Sequence, residues 1–175
     1  MNEDYKPWEE YPELWKTEGQ FWTYLRGCIR RGLWEKSPIK LSFKNKGCDL
    51  PPDDYEGRAK SGQYCALSGK WEGKSKLEVD HCEGNVSLSC WEDVLPFIQH
   101  MIPEKGTLQL VTKEAHKIKS HQEKQGFSTF EEAAADKQAI LICKGDEKKW
   151  LSSKGVVPAS NAKTRRKQVF EELMK

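Results

Sequence analysis

The sequence predicts an α+β fold: a small core of two strands and a helix, with helical N- and C-terminal extensions. Three observations predict it. Two short β-prone runs, Leu77-Glu78-Val79-Asp80-His81 and Thr107-Leu108-Gln109-Leu110-Val111, stand on either side of an insertion at 87–106. The second run leads directly into Lys113-Glu114-Ala115-His116-Lys117-Ile118-Lys119, a stretch of helix formers. Towards both ends, apolar residues recur mainly at helical spacing between Gly and Pro punctuation. The 175 residues suffice for about one ordinary domain, divided here into an N-terminal helix, strand and loop (1–62), a core (63–126) and a helical extension (127–175).

Composition narrows the class. A chain 32% charged and 37% hydrophobic suits a soluble globular protein rather than a disordered one. No apolar run approaches the roughly 20 residues of a membrane span. The N-terminal MNEDYKPWEE has neither the basic flank nor the apolar segment of a secretory signal. The six cysteines form no CxxC pair and read as reduced thiols, which places the chain in the cytoplasm; an extracellular disulfide framework is the lesser alternative. A net charge of +2 does not by itself name a nucleic-acid partner, so the distribution of charge carries the argument.

The elements follow in order. Residues 1–12 are acidic and interrupted by Pro7 and Pro12, which predicts an irregular leader. Thr17-Glu18-Gly19-Gln20 has capping-box spacing, and Trp22, Leu25, Ile29 and Leu33 then share one helical face. Arg26, Arg30 and Arg31 fall largely off that face, suited either to solvent or to phosphate oxygens. Pro38 is expected to stop the helix, and the alternation Ile39-Lys40-Leu41-Ser42-Phe43-Lys44 predicts a half-buried strand. Residues 45–62 read as a surface loop. Tyr64-Cys65-Ala66-Leu67 then enters a turn at Ser68-Gly69-Lys70, with Tyr64, Leu67 and Trp71 available for packing.

Within the insertion, Val94, Leu95, Phe97, Ile98, Met101 and Ile102 predict a short helix capped by Asp93, with Pro96 tolerated near its start. His100 suits a surface or packing role better than a metal. Gly126 ends the helix that carries His116. Ser128-Thr129-Phe130-Glu131-Glu132 opens another that runs to Gly145, with Phe130, Ala134, Ile140 and Ile142 as expected contacts. The tail predicts helices at about 146–154 and 161–174, the second capped by Ser160 or Asn161. This last helix opens with Lys163, Arg165, Arg166 and Lys167. That helix–turn–helix outline suits DNA, and four cations within five positions wrap around the helix, which favours phosphate contact over base reading.

Two strands and a helix can bring Asp80, His81 and His116 to one point. A carboxylate and an imidazole can hold a divalent cation, leaving the second imidazole to take a proton from water. With Asp80 and His116 as ligands, several coordination positions remain for water and phosphate, which favours Mg²⁺, with Mn²⁺ or Ni²⁺ as replacements. His81, one residue on, would point to the other side of the strand end as general base. The plainer reading makes Asp80-His81 a turn cap and His116 a surface residue. Lys117 and Lys119 could hold substrate phosphates or face solvent. His121, about 140° round the helix from His116, is badly placed as a co-ligand but could touch DNA.

These residues resemble the HNH, or ββα-metal, nuclease motif. There an Asp-His pair ends the first strand, an Asn lies near the second, and a His or Asn follows nine residues later on the helix. Thr107 to His116 is that step, and Leu108-Gln109-Leu110 with His116-Lys117-Ile118-Lys119-Ser120 matches the family's wording. The close match covers about a third of the chain. The flanks YLRGCIRRGLWEKSPIKL and GVVPASNAKTRR resemble a phage-type group of HNH endonucleases, which would place the protein in a bacterial host cell. Thr107 stands where the family has its Asn, with Asn85 as another candidate for that role. The family's two CxxC pairs are replaced by Cys65 with Ser68 and by Thr112 with Ala115, so no structural zinc is expected. The resemblance implies a metal-dependent endonuclease that nicks or cuts DNA, in all expectation double-stranded. The alternatives are an inactive HNH-fold DNA-binding protein and a junction- or RNA-directed relative.

Overall fold

The computed structural model describes residues 5–84 and 86–175; Asn85 lies outside the described residues. The protein is 52% helical with two small antiparallel sheets. It divides into two compact units, Met1–Val111 and Thr112–Lys175.

The first unit begins with α1 (Pro7–Glu10), where the leader was expected to be irregular. Pro7 sits at a first-turn position, where its fixed φ suits a helix and its missing N–H costs nothing. In α2 (Glu18–Ile29) the Thr17 hydroxyl accepts from the Gln20 amide at 3.3 Å. Gln20 Oε1 accepts from Lys16 N at 2.8 Å, one residue short of a full capping box. The helix then widens into a π-helical turn over Arg30–Glu35. The smaller rotation per residue of that turn carries Trp34 into the core beside Phe21 and Trp22.

α3 (Pro38–Lys46) stands where the alternation predicted a strand. Ser37 Oγ accepts from Lys40 N at 3.4 Å and Pro38 fills a first-turn position, so the proline starts a helix as well as ending the preceding one. Ile39 and Leu41, read as buried strand positions, are 43% and 54% exposed; Phe43 packs on the core. Six alternating residues are weak evidence beside a cap and a proline at the right spacing.

β1 (Gly62–Tyr64) and β2 (Trp71–Gly73) form an antiparallel hairpin in which Gln63 faces Glu72. A Cβ at Gly62 would lie 2.1 Å from the Glu72 carbonyl oxygen, so only glycine fits. In the intervening loop Cys65 N donates to Lys70 O at 2.8 Å, and Gly69 adopts φ 67°. Cys65 and Trp71 are the buried packing residues here, whereas Tyr64 is 53% exposed.

β3 (Leu77–His81) pairs with β4 (Leu108–Thr112), and next to that ladder Cys82 N donates to Thr107 O at 2.8 Å. Leu77, Val79, Leu108 and Leu110 join Phe21, Trp22, Trp34, Leu88, Phe97 and Met101 in one core. α4 (Val94–Met101) lies in the insertion and buries Phe97 and Met101, leaving Leu95 and Ile102 exposed. Asp93 does not cap α4 through its side chain. Its carboxylate turns back to accept from Ser89 N at 2.8 Å, Ser89 Oγ at 2.8 Å and Cys90 N at 3.2 Å. The hydrogen bonds from Ser89, then Cys90, hold its carboxyl below the usual range.

In the second unit, α5 (Lys113–Gln125) starts immediately after β4, with Thr112 Oγ1 accepting from Ala115 N at 3.1 Å. Gly126 ends it in the left-handed conformation, φ 74°. α6 (Phe130–Lys144) opens with a complete Thr129–Glu132 capping box. Its buried face is built from Ala133, Ala135 and Ala139 rather than from Ala134 and Ile140, which lets the helices approach closely; Ile142 does pack inward. α7 (Glu147–Ser153) is capped by Asp146 and α8 (Ala162–Leu173) by Asn161, whose Oδ1 accepts from Thr164 N at 2.8 Å. Leu151 and Val169 are fully buried against Ala139.

Arg165 ties this unit together. Its Nε donates to Glu147 Oε1 at 2.8 Å, and Nη1 donates to the carbonyls of Ala159 at 3.0 Å and Ser160 at 2.6 Å. The two side chains of the ion pair are only 11% and 16% exposed. Arg165→Ala removes the donor from the partly buried Ala159 carbonyl as well as from Glu147 and the exposed Ser160 carbonyl, so a loss of about 1 kcal/mol is expected in chemical denaturation of the full chain. An unchanged unfolding midpoint would contradict it. Among the described residues, no helix is long and apolar enough to cross a membrane.

Candidate functional site

The site residues of the first unit gather at the end of β3. Side chains alternate along a strand, so Asp80 and His81 leave it on opposite faces. Asp80 is 8% exposed, and its Oδ2 accepts from Gln109 Nε2 at 3.0 Å. The same Gln109 nitrogen lies 3.3 Å from the His81 carbonyl, so one amide clamps both residues of the pair. Gln109 was not among the expected site residues. It was legible in principle: in the antiparallel register it faces Asp80 across the sheet.

His81 lies on the core-facing side, held in a sandwich. Its ring stacks on Trp34 with centroids 4.2 Å apart at 28°, and on His100 at 4.1 Å and 26°. Lys40 Nζ lies 4.6 Å over the Trp34 ring, and burial pushes that ammonium below its ordinary pKa. Both faces of the imidazole are thus covered, and its Nε2 atom is buried. His100, expected to pack, packs on His81 itself. Trp34 and Lys40 come from the π-turn and the unforeseen α3.

His81, Glu83, Gln99, His100, Glu104 and Thr107 line a cleft of about 510 Å³. Thr107 reaches it, but its hydroxyl donates to the Glu104 carbonyl at 2.8 Å. Among the described residues, the side-chain amide on the Asp-His pair is that of Gln109, while the Thr107 hydroxyl also fastens the turn before β4.

His116 belongs to the second unit, in the first turns of α5, four residues after its cap, and is half-buried. Among the described residues, no group of three or more His, Cys, Asp or Glu side chains is arranged to hold a metal ion. The expected set has two protein ligands, so that count does not bear on it. The Asp80 carboxylate is an oxygen donor of the kind a hard divalent cation takes, and Gln109 holds it through Oδ2.

The residues expected on DNA divide sharply. Arg26 turns inward and donates to the Leu88 carbonyl at 3.0 Å, so it braces the core. Arg165 is spent within the second unit as described. His121 Nε2 lies 2.8 Å from Asp136 Oδ2, and Arg166 donates to Asp136 Oδ1 at 2.7 Å. Burial works to raise the Asp136 carboxyl, but the bonds from Arg166 and His121 outweigh it and hold it below the usual range. Lys119 has a side chain 12% exposed, 3.9 Å from Glu123. Arg30 is half-buried, while Lys117, Lys163, Arg166 and Lys167 face solvent. For Arg26, Arg165 and Arg166 the reason is that long cations on helices find carboxylates and carbonyls that lie far off in sequence. Comparison with protein-family models, with curated proteins and with solved structures returns no match to this chain.

Proposed function

We propose that the protein is a metal-dependent endonuclease of the HNH type, hydrolysing phosphodiester bonds in DNA. The observation that carries the reading is the end of β3, where Asp80 and His81 diverge from adjacent positions under one Gln109 clamp, while β4 leads without a break into the helix bearing His116. The motif has the same order of elements, with Thr107 here in the place of its Asn.

In this reading His81 removes a proton from the attacking water. The face-on packing of Trp34 and His100 sets the plane from which the imidazole edge acts. Asp80 and His116 are the ligands of the divalent cation, Mg²⁺ with Mn²⁺ or Ni²⁺ as substitutes; when bound, it supplies positive charge for the phosphorane-like transition state and the departing oxygen. Gln109 keeps the Asp80 carboxylate in a fixed orientation. Lys117, Lys163 and Lys167 are the cations available to substrate phosphates.

One observation favours a second reading, an HNH-fold protein that binds DNA without cutting it. The Thr107 hydroxyl donates to the Glu104 carbonyl, which leaves it only acceptor lone pairs for the role the family gives its Asn. Incubating supercoiled plasmid with the purified protein and Mg²⁺, with and without EDTA, separates the two. Metal-dependent relaxation or linearisation supports the nuclease. Binding without any strand cleavage, in Mg²⁺, Mn²⁺ or Ni²⁺, supports the second reading. Branched DNA and RNA in the same assay test the related substrates.

Elemental analysis of protein purified without chelator is expected to find no stoichiometric zinc. Ser68 and Ala115 offer no thiolate, and Thr112 is committed to capping α5. One tightly held zinc per chain would contradict this expectation.

A further inference from the structure

We propose that the second unit carries a binding site for an unpaired nucleotide of a single-stranded nucleic acid. A cavity of about 420 Å³ is lined by Phe127, Asp136, Lys163, Arg166, Lys167 and Phe170 among others. Its size lies in the lower part of the usual range for small-ligand sites, roughly 300–1,000 Å³. Four of these residues stand at i, i+3, i+4 and i+7 on α8, which puts Lys163, Arg166, Lys167 and Phe170 along one helix face. Arg165, held by Glu147, is turned away from that row. The cations therefore do not simply wrap around the helix: three of them border one concavity with a phenyl ring at its end.

The combination of cation and ring selects the ligand. A double helix offers phosphates outward but keeps its base faces stacked, so apolar walls gain nothing from it. A single strand offers both a phosphate and an exposed ring face, and sites for it pair a basic track with aromatic platforms. Phe127, from the turn after α5, and Phe170 supply the platforms. Asp136 would repel a phosphate, but the Arg166 guanidinium at 2.7 Å already opposes its charge, and His121 Nε2 lies 2.8 Å from its other oxygen. Lys163 and Lys167 remain for the phosphate; the Lys167 contact to Glu171, 3.7 Å between two exposed side chains, is weak competition.

The inference rests on the reading that the partner is nucleic acid, but not on cleavage, so binding is measured without metal. The full chain carrying His81→Ala, in EDTA, is titrated into a fluorescein-labelled oligothymidylate and into a duplex of equal length. The single strand is expected to bind more tightly. Phe127→Leu, which keeps apolar bulk and removes the ring, should weaken single-strand binding by about tenfold and leave duplex binding unchanged. Lys163→Ala and Lys167→Ala, at exposed positions that cannot unfold the unit, should each flatten the single-strand plot of log affinity against log salt by about 0.7. Equal or tighter binding of the duplex overturns the proposal, as does an unchanged salt slope in both lysine variants. A cleaving enzyme with either result would keep the nuclease reading and lose this site.

Discussion

His81→Ala is expected to lower the cleavage rate by about 10²–10⁴-fold while DNA affinity is retained, the loss typical of removing a general base. The imidazole fills the space between Trp34 and His100, but the β3–β4 pairing and the Gln109 contacts to Asp80 and the His81 carbonyl do not depend on its ring. Binding should therefore survive, because the lysines proposed to meet the phosphates, Lys117, Lys163 and Lys167, lie elsewhere in the chain. The sandwich adds a graded control. His100→Ala opens one face of the His81 ring, so turnover should fall by less, about tenfold, with KM little changed, and His100→Phe should restore most of it. A fall in kcat rescued by a flat apolar ring marks positioning; loss of binding instead would mark a substrate contact. Wild-type-like turnover by His81→Ala would sink the general-base assignment.

What could be read from the sequence was what is local. The caps at Thr17, Thr129 and Asn161 and the glycine stop at Gly126 each depend on residues within one helical turn, and each is present. α3 is the exception: Ser37-Pro38 is a start signal of the same local kind, and it prevails over the period-two alternation of residues 39–44. The site was half legible. The positions of Asp80 and His81 at a strand end follow from the β-prone run that leads to them. The Trp34–His81–His100 stack does not, since it joins a π-turn, a strand and an insertion helix that no spacing rule connects. Arg165 shows the same limit for charge: its role is fixed by Glu147, 18 residues earlier, and by two loop carbonyls, none visible as a pattern in the basic run.

Asp80→Ala and His116→Ala should each remove cleavage and weaken divalent-metal binding together, which distinguishes ligands from a base. Loss of a single oriented electrostatic group at a transition state costs about 10²–10³-fold; loss of a ligand should cost at least that. Because Asp80 is 8% exposed and accepts from Gln109, its alanine variant also leaves a partly buried amide without that acceptor. Asp80→Asn is therefore the cleaner variant: it keeps the shape and an oxygen for Gln109 while removing the charge that a cation needs. Gln109→Ala does the converse, keeping the carboxylate but freeing its orientation, and should cost about 10–100-fold in metal affinity or activity. The ordering expected in calorimetric titration with Mn²⁺ is wild type, then Gln109→Ala, then Asp80→Asn and His116→Ala with the weakest binding. Cleavage rates in Mg²⁺ should follow the same order, whereas His81→Ala should leave the Mn²⁺ titration unaltered. Unchanged Mn²⁺ affinity in both Asp80→Asn and His116→Ala would count decisively against this pair as the metal ligands.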